Sequence, residues 1–481
     1  MNNILSGCHP QSVFYYFETI SQIPRGSGNE KAISDYLVSF ANERGLWVLQ
    51  DNANNILIKK PASPGCEDLP AVALQGHLDM VCEKNADSSH DFMRDPISLI
   101  EQNGWIRADG TTLGADNGIA VAMMLALLAE DTARHPALEC IFTVCEETGL
   151  EGAFAFDGSL LAAQYMINLD SEEEGVATVS CCGGVRTHMT NTVTYHGSDL
   201  NAVELFVHGL AGGHSGVDIA KNRANAIKLM AALLRFLQSH ADVALADISG
   251  GNKDNAIPRE CKAVVLTARS TEEITALVRR FQSELSALGA DDAQFDIAVS
   301  AATNNRVMSC SDEIIDLLVN TPNGVQTMFE HAPDMVESSC NLASVTMDGA
   351  QLRVIVSIRG AAKQKRDAVV NHLNETTRRY GFSLSVQGEY PGWDYERQSH
   401  LRDVMSESYL ALYGKALRFE AIHAGLECGI FKSKCPQLDI IAIGPNILDC
   451  HTPDERLNVA SCGAVWQLLL ATLAKLCDKC D

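Results

Sequence analysis

The sequence is poor in basic residues. Its 481 residues include 37 lysines and arginines against 61 aspartates and glutamates, which gives a formal net charge of −24. Nucleic acids and anionic lipid surfaces are bound through clustered positive charge. We therefore expect no nucleic-acid partner and no membrane partner, and a ligand that is small, neutral or cationic.

Long apolar runs are scarce as well. A transmembrane helix requires roughly 18 to 20 apolar residues, and by this criterion we predict none. The first twenty residues lack the basic segment followed by an apolar segment that is typical of a secretory signal. We therefore expect a cytoplasmic protein.

The sixteen cysteines are scattered and do not form paired metal-binding motifs. Many lie inside apolar runs, such as Cys145 at the end of Ile141–Cys145. Only Cys477 and Cys480 have the spacing of a metal or redox pair, and they lie at the C-terminus without a second pair. We predict buried, reduced thiols.

The length of the chain predicts at least two domains, because single hydrophobic cores stop growing at about 250 to 300 residues. In residues 1–185, apolar runs at Ala71–Leu74, Leu138–Cys145 and Tyr165–Leu169 predict strands, and Ile119–Glu130 predicts a buried helix. This alternation predicts an α/β domain with a mixed, largely parallel sheet flanked by helices.

From about Val185 the pattern changes to more polar, alternating segments mixed with helices. The α/β pattern returns near His400, with a predicted strand at Leu438–Ile443. We predict a discontinuous catalytic domain, residues 1–185 and 398–481, interrupted by an inserted α+β lid domain, residues 186–397.

Acidic and histidine residues follow the predicted strands of the α/β domain. They are His77 and Asp79, Glu146 and Glu147, Asp170, and His451, with Asp116 in a glycine-flanked loop. Ligands of open parallel sheets collect outside the carboxyl ends of the strands. We expect these side chains to meet in one crevice.

Two imidazoles and three carboxylates suit zinc, cobalt or manganese. Five ligands are too many for one open catalytic zinc but fit two ions that share a carboxylate and a bridging water, a known hydrolytic device. We expect Glu146 and Glu147 to lie on an irregular loop, where neighbouring side chains point in different directions. One can then bind metal while the other takes a proton from the attacking water and passes it to the leaving amine. Acidic doublets are also common as solvated surface charge.

Several motifs resemble, in order and spacing, those of the M20 family of di-zinc peptidases, and within it the bacterial aminoacyl-histidine dipeptidase branch. They are Gly76–Asp79, Gly114–Gly118, Glu146–Gly149, Asp170 and Cys450–Pro453. Further segments similar to that branch are Asn168–Gly175, Gly212–Gly216, Asn255–Glu260, Tyr390–Trp393 and His423–Gly429. The resemblance covers nearly the whole chain and implies a zinc-peptidase-like catalytic domain.

The resemblance also implies a role for each residue of the predicted crevice. His77 and Asp170 would bind one zinc ion, Glu147 and His451 the other, and Asp116 would bridge them. Asp79 would orient His77, and Glu146 would be the general base. Cobalt or manganese are the expected substitutes for the two zinc ions per chain.

In the lid, the resemblance implies that His214 polarises the scissile carbonyl, as an oxyanion-stabilising group does. Arg359 and Asn255 match positions that hold the substrate carboxylate, and a guanidinium suits that role because it binds a carboxylate with two prongs. His214 also suits a turn in its glycine-rich loop, and Arg359 an ordinary surface position. Glu427 is a candidate for binding the substrate amine, and His423 for a substrate contact.

The resulting hypothesis is metal-dependent hydrolysis of the peptide bond of unblocked dipeptides with broad specificity, Xaa-His dipeptides among them. Alternatives are a tripeptidase, an aminoacylase or a carboxypeptidase of the same family, or a non-catalytic metal-binding or regulatory protein on the same scaffold. The intact Glu146 argues against the last of these. A homodimer through the lid domain is one expectation for assembly; a lid complete within one chain is the other.

Overall fold

The computed structural model describes residues 4–285, 289–329 and 332–478. The described residues form two units: the first lies within 1–180, 395–421 and 426–481, and the second within 181–394 and 422–425. The predicted domain boundaries, after 185 and 397, lie within five residues of the unit boundaries after 180 and 394. The short return of the chain to the second unit at residues 422–425 was not predicted. The role of the second unit as a lid stays a prediction.

Helices and strands alternate along both units. The helices are α1 (Gln11–Ile20), α2 (Lys31–Glu43), α3 (Ala115–Ala129), α4 (Glu146–Gly149), α5 (Glu151–Ala155), α6 (Ala226–His240), α7 (Thr271–Glu284), α8 (Ser311–Asn320), α9 (Lys363–Arg379), α10 (His400–Tyr413), α11 (Glu427–Lys434) and α12 (Val459–Leu476). The strands are β1 (Trp47–Gln50), β2 (Ile56–Lys60), β3 (Val72–His77), β4 (Leu99–Gln102), β5 (Trp105–Ala108), β6 (Leu138–Thr143), β7 (Tyr165–Asn168), β8 (Val176–Cys181), β9 (Gly183–Thr192), β10 (Tyr195–Gly197), β11 (Asn201–His208), β12 (Gly213–His214), β13 (Val243–Gly250), β14 (Ala256–Ile257), β15 (Cys261–Thr267), β16 (Asp296–Ala301), β17 (Arg306–Met308), β18 (Gly324–Phe329), β19 (Ala332–Asp348), β20 (Gln351–Gly360), β21 (Ser383–Tyr390), β22 (Arg418–Ile422), β23 (Asp439–Ala442), β24 (Ile447–Leu448) and β25 (Arg456–Asn458).

The first unit is built on a mixed sheet with the strand order β1-β2-β6-β3-β7-β23-β8-β22. The four strands β6, β3, β7 and β23 run parallel, and β1, β2 and β8 join antiparallel. Every residue of β3 and β6 is buried, as expected of parallel strands covered on both faces. The predicted α/β class with a mixed sheet flanked by helices is confirmed.

Helix α12 is one helix that, by length and composition alone, could span a membrane. It has 18 residues and a mean hydropathy of 1.5, so the prediction that no run approaches this length is wrong. Half of the helix is buried, and Val465, Leu469 and Leu473 lie in the core of the first unit. This burial is typical of a core helix in a globular protein.

The second unit is an antiparallel sheet with helices. Its strand order is β16-β11-β15-β13-β19-β20-β9-β21, with β18 paired to β19. Alternate residues of β11 are buried, which places one face of the strand on a core that α6 also lines. The α+β pattern predicted for this part of the chain is confirmed.

One cysteine pair departs from the predicted reduced state. Cys66 and Cys477 form a disulfide, with their Cα atoms 5.4 Å apart. The prediction of reduced thiols is therefore wrong for this pair, which spacing could not reveal because 411 residues separate the partners. Cys480, the other member of the C-terminal pair, lies outside the described residues.

Candidate metal centre

The carboxyl ends of three neighbouring parallel strands carry predicted site residues. His77 is the last residue of β3, Glu146 follows β6, and Asp170 follows β7. Glu146 and Glu147 open the one-turn helix α4, so the prediction of an irregular loop there is wrong. Consecutive helical residues still point about 100° apart, so the two carboxylates can serve different functions.

The first group of donor atoms comes from His77, Asp116 and Asp170. Nε2 of His77 lies 3.1 Å from Oδ1 of Asp116 and 3.7 Å from Oδ1 of Asp170. One donor atom from each of the three residues lies within 4.8 Å of the other two. The three side chains thus converge closely enough to hold one ion.

The second group comes from Asp116, Glu147 and His451, and it shares Asp116 with the first. Nε2 of His451 lies 3.0 Å from Oδ2 of Asp116 and 3.1 Å from Oε1 of Glu147. These donor atoms also lie within 4.8 Å of one another. The two oxygens of Asp116 therefore face two different histidines, an arrangement suited to a bridging carboxylate.

Asp79 lies on the opposite side of the His77 ring from these donors. Nδ1 of His77 lies 3.1 Å from the backbone oxygen of Asp79 and 3.3 Å from Oδ1 of its carboxylate. The carboxylate in turn accepts hydrogen bonds from the backbone N–H groups of Glu146 and Glu147 and from the hydroxyl of Ser27. Burial raises the pKa of Asp79, but its interactions with His77 and these donors outweigh it and bring the pKa to about 2. An ionised Asp79 keeps the Nδ1 proton of His77 in place and leaves Nε2 free to bind a metal.

Glu146 and Glu427 are two further acidic residues of the first unit near this centre. Burial, together with the charges of Asp170 and Glu427, raises the pKa of Glu146 well above its usual value. Glu427 is fully buried, and one of its oxygens accepts hydrogen bonds from Gln75 at 2.5 Å and Thr143 at 2.7 Å. Burial raises the pKa of Glu427 to about 7. Burial therefore disfavours the ionised form of both side chains relative to an exposed glutamate.

The donor set fits bound metal. Oε1 of Glu147 is buried and accepts no hydrogen bond of good geometry, although His451 is 3.1 Å away. Burial and the carboxylates of Asp116 and Glu427 raise the pKa of Asp170 well above its usual value. A divalent cation would provide a partner for Oε1 of Glu147. It would also offset the repulsion between the carboxylate of Asp170 and its acidic neighbours. Imidazole and carboxylate donors suit zinc, cobalt or manganese.

A thiol also lies beside Asp116. Cys450 forms a close group with Asp116 and the exposed Glu172. Burial and the charge of Glu172 raise the pKa of the Cys450 thiol.

Two buried residues that the sequence patterns did not single out hold residues 113–117, the Asp116 loop. Asp116 and Asn117 lie within the bounds of α3 but have non-helical backbone angles, and the peptide bond between them is cis. The carboxylate of Glu455 accepts hydrogen bonds from the four consecutive backbone N–H groups of residues 113–116, at 2.7, 2.9, 2.8 and 3.3 Å. Arg25 donates to the backbone oxygens of Gly114, Leu78 and Asp79. Both residues are 2% exposed. Their partners are backbone atoms, so no residue pattern in the sequence pointed to the role of either side chain.

His214 lies in the second unit, in the glycine-rich loop that contains β12. Its Nδ1 accepts hydrogen bonds from the backbone N–H groups of Gly216 and Val217, both at 3.2 Å. Burial and the nearby charge of Arg359 lower the pKa of His214. The ring is therefore neutral, with its proton on Nε2, and can donate one hydrogen bond from that atom.

Arg359, also in the second unit, is a buried cation with few partners. It is 8% exposed, Nη1 donates to the hydroxyl of Tyr390 at 3.0 Å, and Nε is buried without a partner. Within the described parts of the chain, no carboxylate lies within ion-pairing distance of it. This differs from the alternative of an ordinary surface arginine, and the guanidinium is suited to bind an anion.

His423 and Asn255 lie in the second unit as well. Nδ1 of His423 is 2.9 Å from the thiol of Cys182, and Nε2 is 2.7 Å from the hydroxyl of Ser339. Burial and the charge of Arg359 lower the pKa of His423 to about 4, so its ring is neutral. Asn255 is exposed, and its backbone oxygen accepts a hydrogen bond from Ser215, next to His214.

A mixed α/β sheet that gathers imidazoles and carboxylates at the ends of its parallel strands is suited to metal-dependent hydrolysis. The chain belongs to the peptidase family M20/M25/M40, whose family model matches residues 73–475. The resemblance seen in the motifs is thereby confirmed.

Individual relatives match over nearly the full length. The chain is 38% identical to the cytosol non-specific dipeptidase of Escherichia coli strain K12, over 99% of both proteins. It is similar to the crystal structure of aminoacylhistidine dipeptidase from Vibrio alginolyticus, with a TM-score of 0.87, 34% identity, and coverage of 98% of this chain and 97% of that one. A tripeptidase from Staphylococcus aureus has a TM-score of 0.57 at 16% identity, over 98% of this chain and 99% of that one, which shows a shared fold alone.

Proposed function

We propose that the chain is a cytoplasmic di-zinc dipeptidase that cleaves unblocked dipeptides, Xaa-His dipeptides among them. The observation that carries the proposal is the shared position of Asp116, whose two carboxylate oxygens face the two histidines of separate donor groups. The substrate class is supported by the two relatives of 38% and 34% identity, which are a non-specific dipeptidase and an aminoacylhistidine dipeptidase.

Each metal ion would be held by one donor group. His77 and Asp170 would bind one zinc ion, Glu147 and His451 the other, and Asp116 both. When bound, the ions supply Lewis acidity to the scissile carbonyl and to the attacking water. Cobalt and manganese are expected to substitute, because they accept the same donors.

Glu146 is the proposed general base. Its raised pKa makes the carboxylate a better proton acceptor than an ordinary glutamate. It would take a proton from the attacking water and return it to the nitrogen of the leaving amino acid. Glu146 opens the one-turn helix α4 beside Glu147, and one donor atom each of Glu146, Glu147 and His77 lies within 4.8 Å of the others, so Glu146 is close to the ligands of the proposed ions.

His214 is proposed to stabilise the oxygen of the scissile carbonyl. Backbone N–H groups occupy its Nδ1, so its single proton is on Nε2 and can be donated to developing negative charge. A neutral donor in a fixed orientation performs this function without a change of protonation.

Arg359 and Glu427 are proposed to recognise the two termini of the substrate. Arg359 would bind the free carboxylate, because it is a buried guanidinium with an unpartnered Nε. Glu427 would bind the free amine through its second oxygen, which is also buried without a partner. A substrate blocked at either end would lose one of these interactions.

Asn255 and His423 stay predicted substrate contacts. Both ring nitrogens of His423 are engaged, so a direct contact would replace its hydrogen bond to Cys182 or to Ser339. A homodimer through the second unit likewise stays a prediction.

A panel of peptides tests the proposal. Metal-stripped protein is assayed before and after zinc is restored, with an Xaa-His dipeptide, its amino-acetylated form and a tripeptide. We expect zinc-dependent cleavage of the free dipeptide alone. Cleavage of the acetylated form would indicate an aminoacylase, cleavage of the tripeptide a tripeptidase, and no cleavage by zinc-loaded protein a non-catalytic metal-binding role.

A further inference from the structure

His451 is the most exposed of the proposed metal ligands. Half of its side chain is accessible, and its backbone has a positive φ of 63°. Its ring contacts the carboxylates of Asp116 and Glu147. Surrounding packing therefore fixes this imidazole only in part, and its position depends on how its loop is anchored.

Glu455 anchors that loop. It lies four residues after His451, and its backbone N–H donates to the oxygen of Thr452 at 3.1 Å, within the same loop. Its side chain crosses to the Asp116 loop and accepts all four N–H groups of residues 113–116. The loops of two ligands in the second donor group are thus joined by one buried carboxylate.

The geometry of this contact requires a carboxylate. Each oxygen of Glu455 accepts two N–H groups, and Gly114 adopts a positive φ of 69° that lets consecutive N–H groups point to one side. A glutamine has one acceptor oxygen, and its NH₂ group would face two N–H donors. Glu455→Gln therefore preserves the size of the side chain but removes half of the anchor.

The other side of the same loop is held independently. Arg25 donates to Gly114 and to the backbone oxygens of Leu78 and Asp79, next to His77. Asn117 accepts from the N–H of His77 at 3.1 Å and donates to the oxygen of Leu169 at 2.9 Å, beside Asp170. These contacts tie Asp116 to the first donor group without involving Glu455.

We propose that Glu455 is a positioning residue that holds His451 at its distance from Asp116 and thereby sets the metal affinity of the second donor group. The inference rests on the proposed two-metal function. Arg25 and Asn117 would position the ligands of the first ion, and Glu455 would position those of the second.

Stepwise metal titration of the stripped protein tests this inference. In Glu455→Gln we expect one of the two zinc equivalents to bind about 10- to 100-fold more weakly, the usual cost of losing a residue that orients a ligand, while the other keeps its affinity. Asp454→Asn is the matched control: it removes one negative charge from an exposed neighbour in the same loop and should leave both affinities unchanged. In the visible spectra of the cobalt-loaded proteins, only the absorption of the weakened equivalent should differ from that of the wild-type protein.

A second variant separates positioning from folding. Glu455→Asp keeps the charge and both acceptors but shortens the reach, so the weakened equivalent should recover part of its affinity relative to Glu455→Gln. Unchanged affinity for both equivalents in Glu455→Gln overturns the inference. The inference is also overturned if both equivalents are weakened equally and the metal-free variants melt well below wild type or do not fold. Glu455 would then stabilise the fold instead of positioning His451.

The wild-type titration distinguishes this inference from the proposal on which it rests. A wild type that binds fewer than two equivalents contradicts the two-metal function itself. A wild type that binds two, together with a Glu455→Gln variant that binds two equally well, contradicts only the role of Glu455.

Discussion

The carboxylate of Asp79 lies 3.3 Å from Nδ1 of His77, on the side of the ring opposite the other acidic residues of the centre. This relationship favours a proton on Nδ1 of His77 when Nε2 binds a metal. In Asp79→Asn the amide can donate as well as accept, so this control of the tautomer is lost. We expect the affinity for one metal equivalent to fall about 10- to 100-fold, measured by competition with a chelator. Asp87→Asn, at an exposed position, is the control, and equal affinities in the two variants would remove Asp79 from this role.

Glu146→Gln should separate catalysis from metal binding. The amide cannot accept the proton of the attacking water, so kcat is expected to fall by about 10²- to 10⁴-fold. Metal content, measured by elemental analysis, should stay at the wild-type value because Glu146 is not a proposed ligand. Glu151→Gln, an exposed acid on the following helix, should retain full activity. Full activity in Glu146→Gln would mean that another group is the base.

His451→Ala should lose one metal equivalent and keep the other. The second donor group then retains only the carboxylates of Asp116 and Glu147, whereas the first keeps all three of its members. Elemental analysis after dialysis measures the stoichiometry. His196→Ala, which removes an exposed histidine from the second unit, is the control. Wild-type stoichiometry in His451→Ala would contradict the ligand assignment.

Arg359→Met tests recognition of the substrate carboxylate. A hydrogen-bonded charge interaction contributes about 1.5 to 3 kcal/mol, so KM for a free dipeptide should rise about 10- to 100-fold. KM for the carboxyl-amidated dipeptide should change little, because it lacks the charge that Arg359 would bind. Arg353→Met removes an exposed arginine from the same strand, β20, and should change neither value. A similar rise for both substrates would point to a structural role.

Much of the candidate metal centre could be predicted from the sequence because the ends of the strands can be recognised in it. Buried parallel strands are continuous apolar runs, so the polar residues that end them, such as His77 and Asp170, stand out. Asp116 lies in no strand, and its glycine-flanked motif revealed it. Within the first unit the structure brings these residues together as the parallel-sheet argument predicted.

The anchoring of the centre could not be predicted in the same way. Glu455 accepts a hydrogen bond from the N–H of Leu113 across a sequence separation of 342 residues, and Arg25 donates to backbone oxygens. Every residue type carries the same backbone oxygen, and all but proline carry the N–H, so the residue types of the partners do not reveal these hydrogen bonds in the sequence. The short return of the chain at 422–425 and the pairing of Cys66 with Cys477 were missed for a related reason, since both depend on contacts between distant segments.

The most direct test of the account is anomalous diffraction at the zinc edge from crystals of the zinc-loaded protein. We predict two peaks about 3.5 to 4 Å apart, one on each side of Asp116, with His77 and Asp170 beside one and Glu147 and His451 beside the other. A single peak, or two peaks that do not share Asp116, would contradict the two-metal centre on which the proposed hydrolysis depends.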